Sequence, residues 1–107
     1  MAKFEINTDK RDEFRFNLKA GNGQTILASE GYKAKTSCLN GIESVRKNSQ
    51  DDSKFERLKS KSGQPYFNLK ATNGQIIGTS EMYSSDSGME NGIESVKKNA
   101  PGAEVAG

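Results

Sequence analysis

FRFNLKAGNGQTILASEGYKAKTSCLNGIESVRKNSQ (14–50) lies over PYFNLKATNGQIIGTSEMYSSDSGMENGIESVKKNAP (65–101) without a gap, at a constant offset of 51 residues. Shared positions include Phe16/Phe67, Leu18/Leu69, Ile26/Ile77, Tyr32/Tyr83, Ile42/Ile93 and Val45/Val96, and the match reaches back to Phe4-Glu5 and Phe55-Glu56. Self-similarity at a fixed period marks a duplicated structural unit. Two repeats, 1–52 and 53–107, fill the chain and are expected to make one domain.

Each repeat changes period once. Phe14, Phe16, Leu18 and Ala20 alternate with Arg15, Asn17 and Lys19, as Phe67, Leu69 and Ala71 do with Tyr66, Asn68 and Lys70. That alternation predicts a half-buried strand. Asn22-Gly23 and Asn73-Gly74 then predict two-residue hairpin turns into QTILAS and QIIGTS. KFEI (3–6) and KFERL (54–58) supply a strand before each hairpin, so each repeat opens as a three-stranded antiparallel meander. Next, Ala34, Cys38, Ile42 and Val45, like Ser85, Met89, Ile93 and Val96, recur at spacings of four, four and three, which gathers them on one helix face. Ser84 or Ser85 caps the second helix, Asn48 and Asn99 suit a left-handed C-terminal residue, and Pro101 prevents continuation.

A second Asn-Gly, at 40–41 and 91–92, falls inside these helices. Gly costs about 0.5–1 kcal/mol relative to Ala in a helix interior. Gly41 lies on the flank of the buried stripe, so close packing of the helix backbone against the sheet or the other helix is the expected compensation.

A unit of about 50 residues is near the lower limit for folding alone without a metal or disulfide. Open meander edges also need pairing or protection. Joining the meanders across a pseudo-twofold axis gives an α+β fold, two β3-α(-β) repeats forming one antiparallel sheet of six strands with both helices on one face. AEVAG (103–107) is suited to add an edge strand.

Composition narrows the chemistry. The chain of 107 residues has no His and one Cys, Cys38. Nucleophile pairs that depend on His, His-containing zinc or iron sites, thiolate metal cages and CxxC redox pairs are therefore excluded. No cofactor and no resident metal are expected. The net charge of +2, from 16 basic and 14 acidic side chains mixed along the chain, is not the basic footprint of a nucleic-acid domain. No apolar run approaches the roughly 20 residues of a membrane span. MAKFEINTDKR has no apolar stretch after its first charge, and a single Cys fits a reducing compartment, so a cytoplasmic location is expected.

The meander, the NGQ hairpin, the (S)E-x-Y junction and NGIESVKKNAPGA together resemble the YegP-like family, small bacterial proteins of unassigned function. The resemblance covers residues 3–106 in both repeats. It implies a β3-α-β unit, occurring singly as a dimer or in tandem, whose C-terminal strands are exchanged between units in one sheet. It brings no catalytic or binding residues. The first repeat departs from the pattern where Lys33-Ala34-Lys35 replaces Ser84-Ser85-Asp86, which leaves the first helix without an obvious N-cap.

Three sets of residues are candidates for function. Asn40, Glu43, Ser44 and Lys47, repeated as Asn91, Glu94, Ser95 and Lys98, form the outward half of each helix and could dock another protein. Ser29-Glu30-x-Tyr32 and Ser80-Glu81-x-Tyr83 stand where strand becomes helix; were the twofold axis to bring Glu30 and Glu81 together, they could serve acid–base chemistry or bind a divalent cation. Arg15, Lys19, Tyr66 and Lys70 on the outward sheet face could grip a nucleic-acid backbone and stack a base. AGNGQT lacks the third Gly and leads into a strand, so it is no pyrophosphate cradle. The expectation is a non-enzymatic structural or protein-interaction module, monomeric with an internal pseudo-dimer. Weak nucleic-acid binding and a carboxylate site are the alternatives.

Overall fold

The computed structural model describes residues 1–107. Its elements run β1 (Lys3–Thr8), β2 (Phe14–Lys19), β3 (Thr25–Ala28), α1 (Lys35–Asn48), a 3-10 turn (Asp52–Lys54), β4 (Phe55–Lys59), β5 (Pro65–Lys70), β6 (Ile76–Thr79), α2 (Asp86–Asn99) and β7 (Glu104–Ala106). The sheet order is β4-β5-β6-β3-β2-β1-β7. Both meanders are antiparallel, and they join through an antiparallel bridge between Ala28 and Thr79. Those two residues are equivalents at the 51-residue offset, so the pseudo-twofold axis passes through this bridge. β7 leaves the second repeat and pairs with β1 of the first. It does so in parallel, which makes the sheet mixed at that edge.

α1 packs on β2 of its own repeat and crosses to β5 and β6, while α2 packs on β5 and crosses to β3. Cys38, Ile42 and Val45 of α1 and Met89, Ile93 and Val96 of α2 are buried in a single cluster of 18 residues that draws on both repeats. Phe4, Phe16 and Phe67 are fully buried, and each repeat carries an edge-to-face pair, Phe4–Phe16 and Phe55–Phe67. Complete burial of such a side chain contributes about 1.5–3 kcal/mol.

Three local expectations need correction. The hairpins at Asn22-Gly23 and Asn73-Gly74 are three-residue loops rather than two-residue turns. Gly23 N–H donates to Ala20 O and Ala20 N–H to Gln24 O; only Gly23 has positive φ (85°), and Asn22 Oδ1 accepts from Gln24 N–H. A type I turn closed by a left-handed Gly shifts the β2–β3 register after Leu18. Asn48 and Asn99 are helical, because each side-chain amide donates back to the carbonyl and hydroxyl of Ser44 or Ser95 instead of adopting a left-handed backbone. Ala34 and Ser85, expected to head the buried helix faces, are instead exposed N-cap residues just outside α1 and α2; Ala34 caps without a side-chain hydrogen bond, whereas Ser85 Oγ accepts from Gly88 N–H, as the sequence suggests.

Candidate functional site

The mid-helix glycines are explained by tyrosine. Tyr32 is fixed by a bridge to Phe14, with backbone hydrogen bonds of 2.7 Å in both directions. Its ring stacks on Phe16 at 6.3 Å and 14°, and its hydroxyl end meets α1 where a Cβ on Gly41 would lie, 2.5 Å from Tyr32 Oη and 2.9 Å from Cζ. Tyr83 repeats this against Phe67 and Gly92, held by Tyr83 N–H to Pro65 O. Burial pushes both phenols above their usual value near 10. Each helix is thus pressed onto the Tyr of its own repeat, not onto the other helix.

That packing sets the outward face of α1 over the hairpin of the other repeat. Asn40, Glu43, Ser44 and Lys47 line a polar cleft of about 470 Å³, whose opposite wall is Ala71, Thr72 and Asn73 from the β5–β6 hairpin. Its floor includes Asn48, held by Ser44. The pseudo-twofold repeats the arrangement. Asn91 and Ser95 of α2, with Tyr83, face Ala20, Asn22 and Gln24 of the β2–β3 hairpin across about 230 Å³. Glu94 and Lys98 do not line this second cleft, and Glu94 accepts from Lys97 at 3.2 Å. Asn40 of α1 therefore faces Asn73 of the other repeat's hairpin across one cleft, and Asn91 of α2 faces Asn22 across the other. The hairpin wall was not foreseen from the sequence; once each helix is placed across the axis, the recurrence of NGQ in both repeats points to it.

The junction carboxylates do not converge. Glu30 and Glu81 lie two residues past the axial pair Ala28–Thr79 on antiparallel strands and are carried apart in opposite directions. No cluster of three or more His, Cys, Asp or Glu side chains suited to a metal ion forms. Ser29 and Ser80 are tied into the sheet, since each Oγ accepts from a β-strand N–H, of Phe16 or Phe67, and donates to the next carbonyl. Glu30 instead lines a separate hollow of about 370 Å³ at the axis on the outer sheet face, together with Arg15, Ile76 and Thr79.

On that outer face the cations are paired. Arg15 meets Asp9 at 2.7 Å, Lys19 meets Glu5 at 3.0 Å, and Lys70 meets Glu56 at 3.0 Å. Arg15 holds the Asp9 carboxyl below its usual range, Lys19 and then Lys3 do so for Glu5, and Lys70 and then Asn68 for Glu56. Asn68 links Glu56 to Thr79, and Tyr66 is half-buried beside this network. A phosphate backbone would have to compete with carboxylates already in place. Cys38 is sealed in the core, where burial pushes its thiol up.

Comparison with known proteins agrees with this architecture. The family described as "Domain of unknown function (DUF1508)" matches residues 9–56 and again 60–106. The chain is 59% identical over 102 residues, 95% of this chain and 92% of the other, to the "UPF0339 protein in ptx operon 5'region" of Stutzerimonas stutzeri. It is 52% identical over 96 residues, 90% of this chain and 87% of the other, to the "UPF0339 protein YegP" of Escherichia coli K12. The solution structure of yegP from E. coli, a "protein of unknown function", superposes with a TM-score of 0.93 at 48% identity, covering 98% of this chain and 90% of that one. A UPF0339 protein from Shewanella oneidensis also superposes with a TM-score of 0.93, at 47% identity, over 98% of this chain and 89% of that one. No helix is long and apolar enough to cross a membrane. With two matched units, a shared fold and about half or more of its residues in common with such relatives, this chain belongs to the DUF1508/UPF0339 family of YegP-like proteins.

Proposed function

We propose that residues 1–107 act as one cooperative unit, a non-enzymatic, monomeric cytoplasmic module that docks a protein partner in the cleft between α1 and the β5–β6 hairpin. The observation that carries this reading is the composition of that cleft. Its two walls come from different repeats, so it exists only in the assembled molecule, and its lining of Asn40, Ser44, Thr72 and Asn73 offers amide and hydroxyl groups in both donor and acceptor roles. Glu43 and Lys47 place one charge of each sign along the helix wall. Such a surface suits the backbone and polar side chains of an extended polypeptide. The sealed Cys38 and the separated Glu30 and Glu81 support binding over catalysis.

The test is site-specific photocrosslinking in cells. A photoreactive residue at Asn40 or Thr72 is expected to capture a discrete protein partner, and the same residue at Asn17 on the outer sheet face is not. Capture from Asn17 alone, or of nucleic acid, would defeat the proposal.

A further inference from the structure

A symmetric pair of β3-α-β units would place a strand on each outer edge, eight in all, whereas this sheet has seven. The missing one belongs on β4. β7 covers β1 with Lys3 opposite Glu104, Phe4 opposite Val105 and Glu5 opposite Ala106. At the 51-residue offset the corresponding positions are Lys54, Phe55 and Glu56. The chain that leaves α1 cannot supply the eighth strand, because residues 49–54 run directly into β4 as the connection between repeats.

Three residues around the two edges change from apolar to charged, while one cation is kept as another. Ile6, which is buried, is replaced by Arg57; Leu39 by Glu90; Met1 by Asp52; and Arg46 by Lys97. In the first repeat Arg46 lies 5.5 Å over the Phe4 ring and donates to Ala103 O, gripping the incoming strand. In the second, Lys97 takes the same posture 5.8 Å over Phe55, yet its Nζ donates to Asp52 Oδ1 at 2.8 Å. A carboxylate thus occupies the cation that a strand carbonyl occupies on the other edge. Arg57 joins the same group, bonded to Glu90 at 3.0 Å and to Asp52 at 3.2 Å. Inward-facing charge beside an edge strand is a recognised means of preventing strand addition.

We propose that the β4 edge is a strand-acceptor site for the C-terminal segment of a second copy of this chain, held closed by Asp52, Arg57, Glu90 and Lys97. The occupant is fixed by β7 itself, which shows that residues 103–106 fit an edge of this kind in parallel, with small side chains at Ala103 and Ala106 and a carbonyl for the waiting cation. Closure keeps tandem chains from joining edge to strand.

The experiment compares the full-length chain with Asp52→Ser/Arg57→Ile/Glu90→Leu, the last two changes introducing the residue types of Ile6 and Leu39 at the equivalent positions beside β1. The probe is a peptide of residues 100–107, followed by backbone amide shifts. In 0.15 M salt the parent chain is expected to be monomeric and to show no β4 shifts. The triple variant is expected to bind at least tenfold more tightly, with shifts confined to β4 and Lys97, and to self-associate as concentration rises. Lys97→Ala in that background should weaken binding severalfold. Should the triple variant fold poorly, the parent chain in 1 M NaCl supplies the readout, since screening of these part-exposed pairs should raise its affinity for the peptide. A parent chain that binds as well as the variant overturns the closure. A folded variant with no β4 shifts, or a parent chain indifferent to salt, overturns the site.

Discussion

At the residue scale, Gly41 and Gly92 show how one position serves element and site together. Helix propensity alone would make Gly41→Ala favourable by about 0.5–1 kcal/mol. The Tyr32 hydroxyl end stands where the new Cβ must go, and Phe16 Cε2 is 3.1 Å from it. Overpacking of this kind costs about 1–3 kcal/mol. Gly41→Ala is therefore expected to destabilise by about 1–2 kcal/mol in urea unfolding. In a Tyr32→Phe background, which removes the nearest atom, the same change should cost measurably less, and a double-mutant cycle reads the difference. That the glycine reflects close packing was legible from its place beside the apolar stripe. The packing partner was not, because nothing in the periodicity says that Tyr32 folds back beneath its own helix. Asn48 misled for a related reason: Asn tolerates a left-handed backbone, but a Ser one helical turn earlier offers its amide a nearer acceptor.

At the element scale, the two helices share their buried stripe and differ in their starts. Ser85 Oγ accepts from Gly88 N–H at 3.1 Å, while Ala34 caps α1 with no side chain to offer. An N-cap Ser or Thr is worth about 0.5–2 kcal/mol over Ala. Ser85→Ala should therefore lower stability by about 1 kcal/mol and Ala34→Ser should raise it by a similar amount, both read as shifts in denaturation midpoint. Strands and helices were visible in the sequence because their periods differ, and Lys33-Ala34-Lys35 already marked the uncapped start. The hairpins lie where Asn-Gly points but close with a longer loop: Asn-Gly favours a two-residue turn, and here the residue before each Asn joins the loop, with Asn capping it through its side chain. The cleft needs two elements from different repeats, so it could not be read from either one alone.

At the scale of the whole molecule, duplication leaves one position that cannot be symmetric. Leu27 and Gly78 are equivalents beside the axis, and Leu27 is fully buried against Gly78, with its Cγ 2.6 Å from where a Cβ would stand. One large side chain fills a space that two could not share. Leu27→Gly is expected to cost at least about 2–5 kcal/mol through the cavity it leaves, and Gly78→Leu to be destabilising through overlap. The exchanged pair Leu27→Gly/Gly78→Leu should recover most of the loss in thermal unfolding, since the pseudo-twofold carries one packing arrangement onto the other. Equal damage from the swap and from the worse single change would show that the two sides of the axis are not interchangeable. The shared sheet and the edge strand within 103–107 were predictable from edges that must be covered, and the parallel direction of that strand was not, because direction depends on the path from α2 back across the sheet.

Neither repeat is expected to close a core without the other, since α1 crosses to β5 and β6 and α2 crosses to β3. The most direct test of this dependence is thermal unfolding of residues 1–50 alone, at low micromolar concentration, followed by circular dichroism and sedimentation. The fragment is expected to show no cooperative transition as a monomer, while the full chain melts in one step. A monomeric fragment that is compact and melts sharply would contradict the shared core, and with it the cleft.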